Sequence, residues 1–536
     1  MTVALLVSLA LARPVAPDSP DARMSSTLAE LSRAREDLAS WASFTQKHPR
    51  FAGGSVVIVV ELQPDADAIQ FATALQLVPQ AQFADLVQFE VAIEQLVKIA
   101  ESPFVRHLRE PFRADPKEVV SEGYEATMTE DWHKDDRVTG RGVHVGVLDV
   151  GFEGAEALIG GELPADVTLE LSQGSPESSD HGTSVAEVIA DFAPDATLTL
   201  VSFSTDVEFG QGLQTLLDAD VDVVNASIGF DNVWAADGTS GPTRYVDAMG
   251  EAGVIVVTAA GNEHARYRVG PLTRAEDTTY VEIDGHYAIA ADAPGGRARA
   301  SFRWSEPFGE AAIDLDLVAF DATTGDECGR SENPQDGDDD PLETIDVSDC
   351  EENVYVAVYA DAGVNVSGLT GYLYVRAGLA ESEATGIESL SLPADCFTCT
   401  AVGAYLLEDS SIAAYSSHGP TNDGRIKPDL VAPTEVSTSS TGEGALEGTS
   451  AATPHVTGLA ALWVQATNLH ASPAEFSAWA AEGADDLGAK GMDTVYGNGA
   501  AQSGPVPPTD CGCTSTTPAL NGGLALAMLG LVRRRR

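Results

Sequence analysis

Basic side chains are scarce in this sequence: 30 Lys and Arg stand against 82 Asp and Glu, which gives a formal net charge of −52 over 536 residues. Nucleic-acid binding through phosphate contacts needs clustered Lys and Arg, so this balance excludes that class of function. Adsorption to an anionic membrane surface is disfavoured for the same reason. Because charged residues total only 21% of the chain and apolar segments recur, the acidity indicates a well-solvated folded surface and not disorder.

Cysteine is also scarce. Six cysteines in 536 residues do not make a disulfide scaffold, and no His cluster accompanies them at zinc-binding spacing. Cys328 and Cys350 could form a disulfide in an exported protein, although the sequence leaves their geometry open. The other cysteines form two near pairs, Cys396 with Cys399 and Cys511 with Cys513.

Long apolar runs are missing, so a membrane span of about 20 residues is not expected. Near the N-terminus, Val3 to Ala12 is an apolar stretch of signal-peptide length, with small-residue cleavage sites at its end. The basic residues usual before such a stretch are absent, and a frayed helix is the alternative. We predict a signal peptide over residues 1–16.

A second short apolar run, Gly522 to Val532, follows a Pro-rich linker and Cys511-Gly512-Cys513 and precedes Arg533 to Arg536. This order of features resembles the MYXO-CTERM type of bacterial sorting tail. The resemblance implies that residues 503–536 are a linker and tail processed by a sorting protease, and that the protein is secreted or displayed at the cell surface. An unprocessed C-terminus without a sorting role is the alternative.

At roughly 150 residues per domain, the length predicts three to four folding units. Residues 17–128 begin with charged, helix-like spacing and continue with the strand Ser55 to Val60, which predicts a small α+β unit. Residues 129–284 and 380–502 show short β-branched strands between helical segments, the pattern of a parallel α/β sheet with helices on both faces. Between them, residues 285–379 alternate with period two, which predicts an inserted all-β sandwich.

Polar residues gather where the predicted parallel strands end, at the edge where α/β sheets bind ligands. Asp149 ends the strand that begins at Val143, although an Asp there is more often a turn residue or a helix cap. His181 opens a helix with an apolar face, and a His in that place is usually a surface residue. Ser450 lies within Gly448 to His455, where small residues let a substrate approach and a helix N-terminus faces developing negative charge.

Together these segments resemble the subtilisin-like serine peptidases (subtilases). The order Asp149, His181, Ser450 is that of the family, and each residue lies in the family's local motif. Further matching segments are Val224 to Gly229, Ala259 to Asn262, Tyr415 to Pro420 and Asp423 to Pro433. Apart from the insertion, the resemblance covers about residues 132–501. It implies a subtilisin-like parallel sheet and a serine endopeptidase that forms an acyl-enzyme on Ser450.

The resemblance also implies a role for each residue. His181 would remove the proton of Ser450, which is a poor nucleophile without a base, and Asp149 would orient the imidazole and stabilise its charged form. The side-chain amide of Asn262 and the backbone N–H of Ser450 would donate to the oxyanion. The edge strand that pairs with the substrate backbone, beside the primary specificity pocket, is matched by Ser227, Ile228 and Gly229.

Two residues depart from the family pattern: Val150 stands where the family mostly has Thr or Ser, and Glu187 where a small residue is usual. Both are predicted to lower efficiency without removing a catalytic group. The unit over residues 17–128 resembles a subtilase propeptide in position and size. This implies that it assists folding, inhibits the enzyme and is removed, so that active enzyme begins near Thr129 to Arg141.

The implied catalysis requires no cofactor, and no metal ligand is assigned to the active site. The acidic loop Asp336 to Asp340 could bind structural Ca²⁺ through its clustered carboxylates, and a solvated loop is the simpler interpretation. The expected partners are protein or peptide substrates. Two other functions stay open: a catalytically weak surface protein that binds a glycan or protein through the sandwich, and a serine-carboxyl peptidase. The latter class uses an acidic base, whereas His181 occupies the base motif here.

Overall fold

The computed structural model describes residues 20–35, 41, 44, 54–64, 66–112, 123–129, 132–133, 138–172, 179–274, 278–441 and 446–504. Sheets of four, nine and seven strands organise these residues. None of the helices among them is long and apolar enough to cross a membrane. The predicted signal peptide over residues 1–16 and nearly all of the predicted linker and tail over 503–536 lie outside the described residues.

The N-terminal unit is an antiparallel sheet with helices packed against it. Its elements are α1 (Ser26–Ala34), β1 (Ser55–Leu62), α2 (Ala68–Leu75), β2 (Pro79–Phe83), β3 (Leu86–Ala92), α3 (Leu96–Ala100) and β4 (Val105–Arg109). The strand order is β2-β3-β1-β4. Asp67 begins α2 because its carboxylate accepts hydrogen bonds from the first backbone N–H groups, those of Ile69 and Gln70.

The domain that contains the seven-stranded sheet is called the central domain here. Its first half alternates strands with helices, as the sequence pattern predicts. The elements are β5 (His144–Asp149), α4 (Ala155–Leu158), β6 (Val167–Glu170), α5 (His181–Phe192), β7 (Thr197–Ser202), α6 (Asp206–Asp218), β8 (Val223–Ala226), α7 (Gly241–Glu251) and β9 (Ile255–Ala259). Thr205 and Ser240 begin α6 and α7, since each hydroxyl accepts a hydrogen bond from a backbone N–H of the first turn.

An antiparallel sheet of nine strands follows. The strands are β10 (Tyr267–Arg274), β11 (Tyr280–Ile283), β12 (Ile289–Asp292), β13 (Ala298–Trp304), β14 (Asp316–Asp321), β15 (Glu327–Ser331), β16 (Leu342–Val347), β17 (Asn353–Tyr359) and β18 (Thr370–Val375). The order is β15-β14-β17-β11-β10-β18-β13-β16, with β12 also paired to β17. The end strands β15 and β16 approach each other at Gly329 and Ile345, so the sheet nearly closes on itself.

This sheet begins at Tyr267, ahead of the predicted boundary at residue 285. The difference arises because β10 and β11 pair with β18 and β17 and not with the parallel sheet. A disulfide joins Cys328 to Cys350, the pairing that the sequence left open. The predicted domain boundaries themselves stay predictions.

The chain then returns to the central domain with β19 (Thr400–Leu406), β20 (Leu430–Thr434), α8 (Thr449–Ala466) and α9 (Pro473–Gly483). Seven parallel strands in the order β20-β19-β9-β8-β5-β7-β6 form its sheet. Successive residues of a strand point to opposite faces. Val147 therefore packs in one core with α5 and α8, and Leu148 in another with α6. The predicted α/β class, with helices on both faces of a parallel sheet, is confirmed.

The N-terminal unit packs on α6 through a buried ion pair. The guanidinium of Arg109 lies between Glu61 of its own unit, at 2.7 Å, and Asp206 at the start of α6. Burial alone would raise the pKa of Glu61, but Arg109 and Arg106 outweigh it and hold that pKa at about 2. The side chains of Arg109 and Asp206 are only 6% and 1% exposed, so the contact that joins the two units is buried.

Residues 123–133, where described, pack on the central domain. A Cβ atom on Gly123 would lie 2.3 Å from Nε2 of His455 in α8. The carbonyl of Thr127 accepts a hydrogen bond from the backbone N–H of Ser503 at 2.8 Å, and the indole of Trp132 donates to the carbonyl of Gly504 at 2.8 Å. These contacts tie the segment to α8 and to the end of the central domain, and the start of active enzyme near Thr129 to Arg141 stays a prediction.

Candidate active site

The structure brings the predicted acid and base together. Asp149 is the last residue of β5 and His181 the first of α5. Nδ1 of His181 lies 2.6 Å from Oδ1 of Asp149, and the backbone N–H of Val150 donates to the same oxygen at 2.7 Å. Asp149 is 0% and His181 5% exposed. An imidazole held through Nδ1 by a buried carboxylate presents Nε2 as its free nitrogen.

Gly182 allows this close approach of α5 to the end of β5. A Cβ atom there would lie 2.5 Å from the ring of Phe152, 2.6 Å from the carbonyl oxygen of Gly151 and 2.8 Å from Cβ of Asp149. Such distances are shorter than van der Waals contact, and one of the contacts is with backbone that cannot move aside cheaply. The glycine after His181 is therefore a requirement of the Asp149–His181 contact.

Ser450 is the second residue of α8 and is fully buried. Its Oγ donates a hydrogen bond to the backbone carbonyl of Ser227 at 3.0 Å, and Oγ of Ser227 donates back to the carbonyl of Ser450 at 3.2 Å. Nε2 of His181 has no hydrogen-bond partner among the described residues. Ser450 is therefore tied to the predicted substrate strand in this structure, and the base nitrogen is unengaged.

Asn262 is oriented by the same helix start. Its Oδ1 accepts two hydrogen bonds from Thr449, one from the backbone N–H and one from the hydroxyl, each at 2.9 Å. Because the oxygen is engaged, the amide nitrogen is the end that faces Gly448, where a Cβ atom would lie 2.7 Å from it. Asn262 thus presents an N–H donor at the N-terminus of α8, next to Ser450.

The predicted substrate strand Ser227–Gly229 follows β8 and lies beside the helix start. Asn225 links this strand to α8. Its amide nitrogen donates to Oγ of Ser227 at 2.9 Å, and its oxygen accepts a hydrogen bond from Thr457 of α8 at 2.8 Å. Ser227 and Ile228 are 0% exposed. The structure therefore assembles all seven predicted site residues at one edge of the sheet, where the parallel strands end.

Glu187 has a function in the fold that the sequence did not reveal. Its carboxylate accepts hydrogen bonds from the backbone N–H groups of Ser439 at 2.6 Å and Ser440 at 3.1 Å. Burial raises the pKa of Glu187, and these donors oppose the rise. The signal in the sequence was an acidic residue flanked by Ala186 and Val188 in the middle of α5. Glu187 ties α5 to the segment that precedes α8.

Val150 places no hydroxyl beside Asp149, and the lower efficiency expected from this departure stays a prediction. Oδ2 of Asp149 is buried and has no hydrogen-bond partner among the described residues. A Thr or Ser at position 150 would carry a hydroxyl on the neighbouring side chain. Within the part of the chain that the structure describes, the carboxylate that orients His181 is held through Oδ1.

His455 and the acidic loop lie away from this arrangement. His455 is 0% exposed, donates through Nδ1 toward the carbonyl of Ala451 at 2.7 Å and packs edge-on against Phe192, as a structural residue would. In the loop, the carboxylates of Asp336, Asp338 and Asp339 lie within 4.8 Å of one another. Calcium binding there stays a prediction.

A parallel sheet with a buried Asp–His pair and a serine at a helix N-terminus defines an α/β serine hydrolase. Among known families, the model of the subtilase family, Peptidase_S8, matches residues 140–313 and 343–499. This match covers more than half of the chain, and the protein belongs to the subtilase family of serine peptidases.

Solved structures are similar to this chain. The structure of the Clostridium perfringens CspB protease is 18% identical, with a TM-score of 0.52, over 71% of this chain and 97% of that one. A lanthipeptide protease is 16% identical, with a TM-score of 0.40, over 71% of this chain and 91% of that one. Among curated proteins, none matches the chain.

Proposed function

We propose that the protein is a secreted or surface-displayed serine endopeptidase that cleaves peptide bonds through an acyl-enzyme on Ser450. The observation that carries the proposal is the 2.6 Å contact between Asp149 and His181 at the same edge of the sheet as a serine in the buried N-terminus of α8. Such a set supplies a nucleophile, a base and a residue that orients the base.

In the first step Ser450 exchanges its hydrogen bond to Ser227 for one to Nε2 of His181, which takes the hydroxyl proton as Oγ attacks the substrate carbonyl. Asp149 holds the imidazole through Nδ1 and stabilises its charged form. The oxyanion accepts hydrogen bonds from Nδ2 of Asn262 and the backbone N–H of Ser450. His181 then gives its proton to the leaving amine, and water releases the acyl group by the reverse sequence of proton transfers.

The N-terminal unit acts in this proposal as the enzyme's own propeptide and inhibitor. Gln88 of β3 accepts a hydrogen bond from Thr205 at 2.8 Å, and Gln211 of α6 donates to the carbonyl of Gln82 at 2.8 Å. Past β4, the carbonyl of Phe112 accepts from the backbone N–H of Asp206 at 3.2 Å. The unit thus covers the start of α6.

Export is the part of the proposal that rests on the sequence of the two ends. The structure adds a supporting observation, because a disulfide joins Cys328 to Cys350, and such bonds persist in oxidising compartments. Intact-mass analysis of protein from its native host tests the tail processing. Mature protein that still carries Arg533 to Arg536 would contradict it.

A fluorophosphonate probe tests the catalytic proposal. The purified protein should be labelled on Ser450 and should hydrolyse peptides, whereas Ser450→Ala should show neither property. Ser367→Ala, in an exposed loop, is the matched control and should be labelled like the unchanged protein. Labelling on another serine, or proteolysis by pure Ser450→Ala protein, would overturn the assignment.

A further inference from the structure

Two backbone segments bound the space beside Ser450. One runs from Ser227, whose carbonyl accepts the Ser450 hydrogen bond, to Gly229. The other ends at Gly261, next to Asn262. If the proposed function holds, the attacked carbonyl lies between Ser450 Oγ and Asn262 Nδ2. The side chain of the substrate residue that carries this carbonyl must then enter the gap between the two segments.

Ser391 fills the floor of this gap. A Cβ atom on Gly229 would lie 2.5 Å from Cβ of Ser391, and one on Gly261 would lie 2.2 Å from its Oγ. The Ser391 side chain therefore lies between the two glycines, within contact distance of both backbones. It is 0% exposed.

The backbone around Ser391 is tied to both walls of the gap. Its N–H donates to the carbonyl of Ala260 at 2.9 Å, on the side of Gly261. The next residue, Leu392, exchanges two backbone hydrogen bonds of 2.9 and 3.0 Å with Phe230, on the side of Gly229. The floor is thus a bridge between the walls and cannot drop without breaking three buried hydrogen bonds.

Asp231 fixes the hydroxyl of this floor. Oγ of Ser391 donates to Oδ1 of Asp231, and the hydroxyl of Tyr374 in β18 donates to Oδ2 at 3.3 Å. A long side chain entering the gap would have to push the Ser391 hydroxyl away from Asp231. That displacement would take a donor from a carboxylate in partly buried surroundings, which is costly.

We infer that Ser391, held in place by Asp231, limits the residue on the acyl side of the cleaved bond to a small uncharged side chain such as Ala, Ser or Gly. The inference rests on the proposed function and names its substrate class. A rigid pocket that lacks room for added methylenes rejects longer side chains, because overpacking strains side chains and backbone. Ser391 acts as a specificity residue through the space it occupies.

Fluorogenic tetrapeptide amides that differ only in the residue before the cleaved bond, Ala, Ser, Leu, Phe or Lys, test this with matured full-chain protein. We expect kcat/KM for Ala to exceed that for Leu, Phe and Lys by about tenfold or more. In Ser391→Gly the floor is lowered, and the Ala to Leu ratio should fall by about tenfold through faster cleavage after Leu. Ser391→Ala keeps most of the side-chain volume but loses the hydrogen bond to Asp231. Its Ala to Leu ratio should lie between those of the unchanged protein and Ser391→Gly.

Ser389→Ala is the matched control. Its hydroxyl accepts a hydrogen bond from the backbone N–H of His418 at 2.9 Å and meets neither glycine of the gap, so its Ala to Leu ratio should equal that of the unchanged protein. Fluorophosphonate labelling of Ser450 in each variant corrects for folded, active protein. A preference for Leu, Phe or Lys in the unchanged protein, or an unchanged ratio in labelled Ser391→Gly and Ser391→Ala, would overturn the inference. Absence of both labelling and hydrolysis would overturn the proposed function instead.

Discussion

The side-chain oxygen of Asn262 accepts both the backbone N–H and the hydroxyl of Thr449, 187 residues later in the chain, at 2.9 Å each. The residue just before the nucleophile therefore sets which way the amide of Asn262 points. The hydroxyl of Thr449 also accepts the backbone N–H of Gly261 at 3.0 Å. A single threonine thus connects the oxyanion donor, the segment that carries it and the N-terminus of α8.

Thr449→Val is expected to loosen Asn262 and to lower kcat by about tenfold with little change in KM, since the lost contact orients a donor needed in the transition state. Thr449→Ser keeps the hydroxyl and should restore most of the rate. Asn262→Ala removes the donor itself and should cost about 10²–10³ in kcat. Steady-state kinetics on a small peptide measure all three. A loss in Thr449→Ser as large as that in Thr449→Val would show that the hydroxyl alone does not hold Asn262 in place.

Val150→Thr is expected to raise kcat/KM a few-fold. Threonine has nearly the shape of valine and would offer a hydroxyl to Oδ2 of Asp149, which has no partner among the described residues. A better-held carboxylate keeps the imidazole of His181 in its productive orientation. Val150→Ala supplies no donor and serves as the control. No gain in a Val150→Thr protein of unchanged stability would count against this account of the departure.

Glu187→Ala is expected to lower the free energy of unfolding by about 1–3 kcal/mol, because two backbone N–H groups, those of Ser439 and Ser440, lose their acceptor. Glu187→Gln keeps one acceptor oxygen and should lose about half as much. Denaturant unfolding in a Ser450→Ala background, which avoids self-digestion, measures both. A more stable Glu187→Ala protein would show that the burial cost of the carboxylate outweighs its hydrogen bonds.

Arg109→Met is expected to destabilise the joined N-terminal and central units by about 3–5 kcal/mol, since it leaves the carboxylates of Glu61 and Asp206 buried without their partner. Arg141→Met removes a guanidinium that is 77% exposed and should have a much smaller effect. Unfolding of the unprocessed Ser450→Ala protein gives both values. Similar losses in the two variants would mean that the buried pair does not join the units.

Stability should fall on acidification partly because of His455. Burial lowers the pKa of this imidazole to about 4, below the ordinary value near 6.5. A His with a depressed folded-state pKa stabilises the fold above pH 6.5, and this contribution is lost progressively as the pH falls from 6.5 towards 4, up to about 3 kcal/mol.

His455→Asn keeps a donor for the carbonyl of Ala451 and should flatten the stability profile between pH 6.5 and 4. His470→Asn, at a side chain 67% exposed, is the control and should keep the steep profile. Unfolding midpoints across this pH range decide the matter, and a His455→Asn profile as steep as that of the unchanged protein would contradict the prediction.

The catalytic residues could be predicted from the sequence because each lies in a short local motif. The strand from Val143 ends at Asp149, and His181 and Ser450 open helices; these placements follow from β-branched runs, apolar helix faces and small residues that lie close together in the sequence. The parallel sheet follows from the same alternation. The family model confirms what these motifs implied about the fold.

Contacts between distant segments were decided by the tertiary structure alone. The hydrogen bond from Ser391 to Asp231 spans 160 residues, and the acceptors that Glu187 provides serve N–H groups 252 and 253 residues away. The antiparallel sheet starts at Tyr267 because β10 pairs with β18, a partner about a hundred residues later. Periodicity and local propensity fix which faces are apolar and where elements begin, but a pairing depends on the backbone path that brings two segments together. The sequence therefore determined the kind of site, and the fold determined which side chains hold, orient and restrict it.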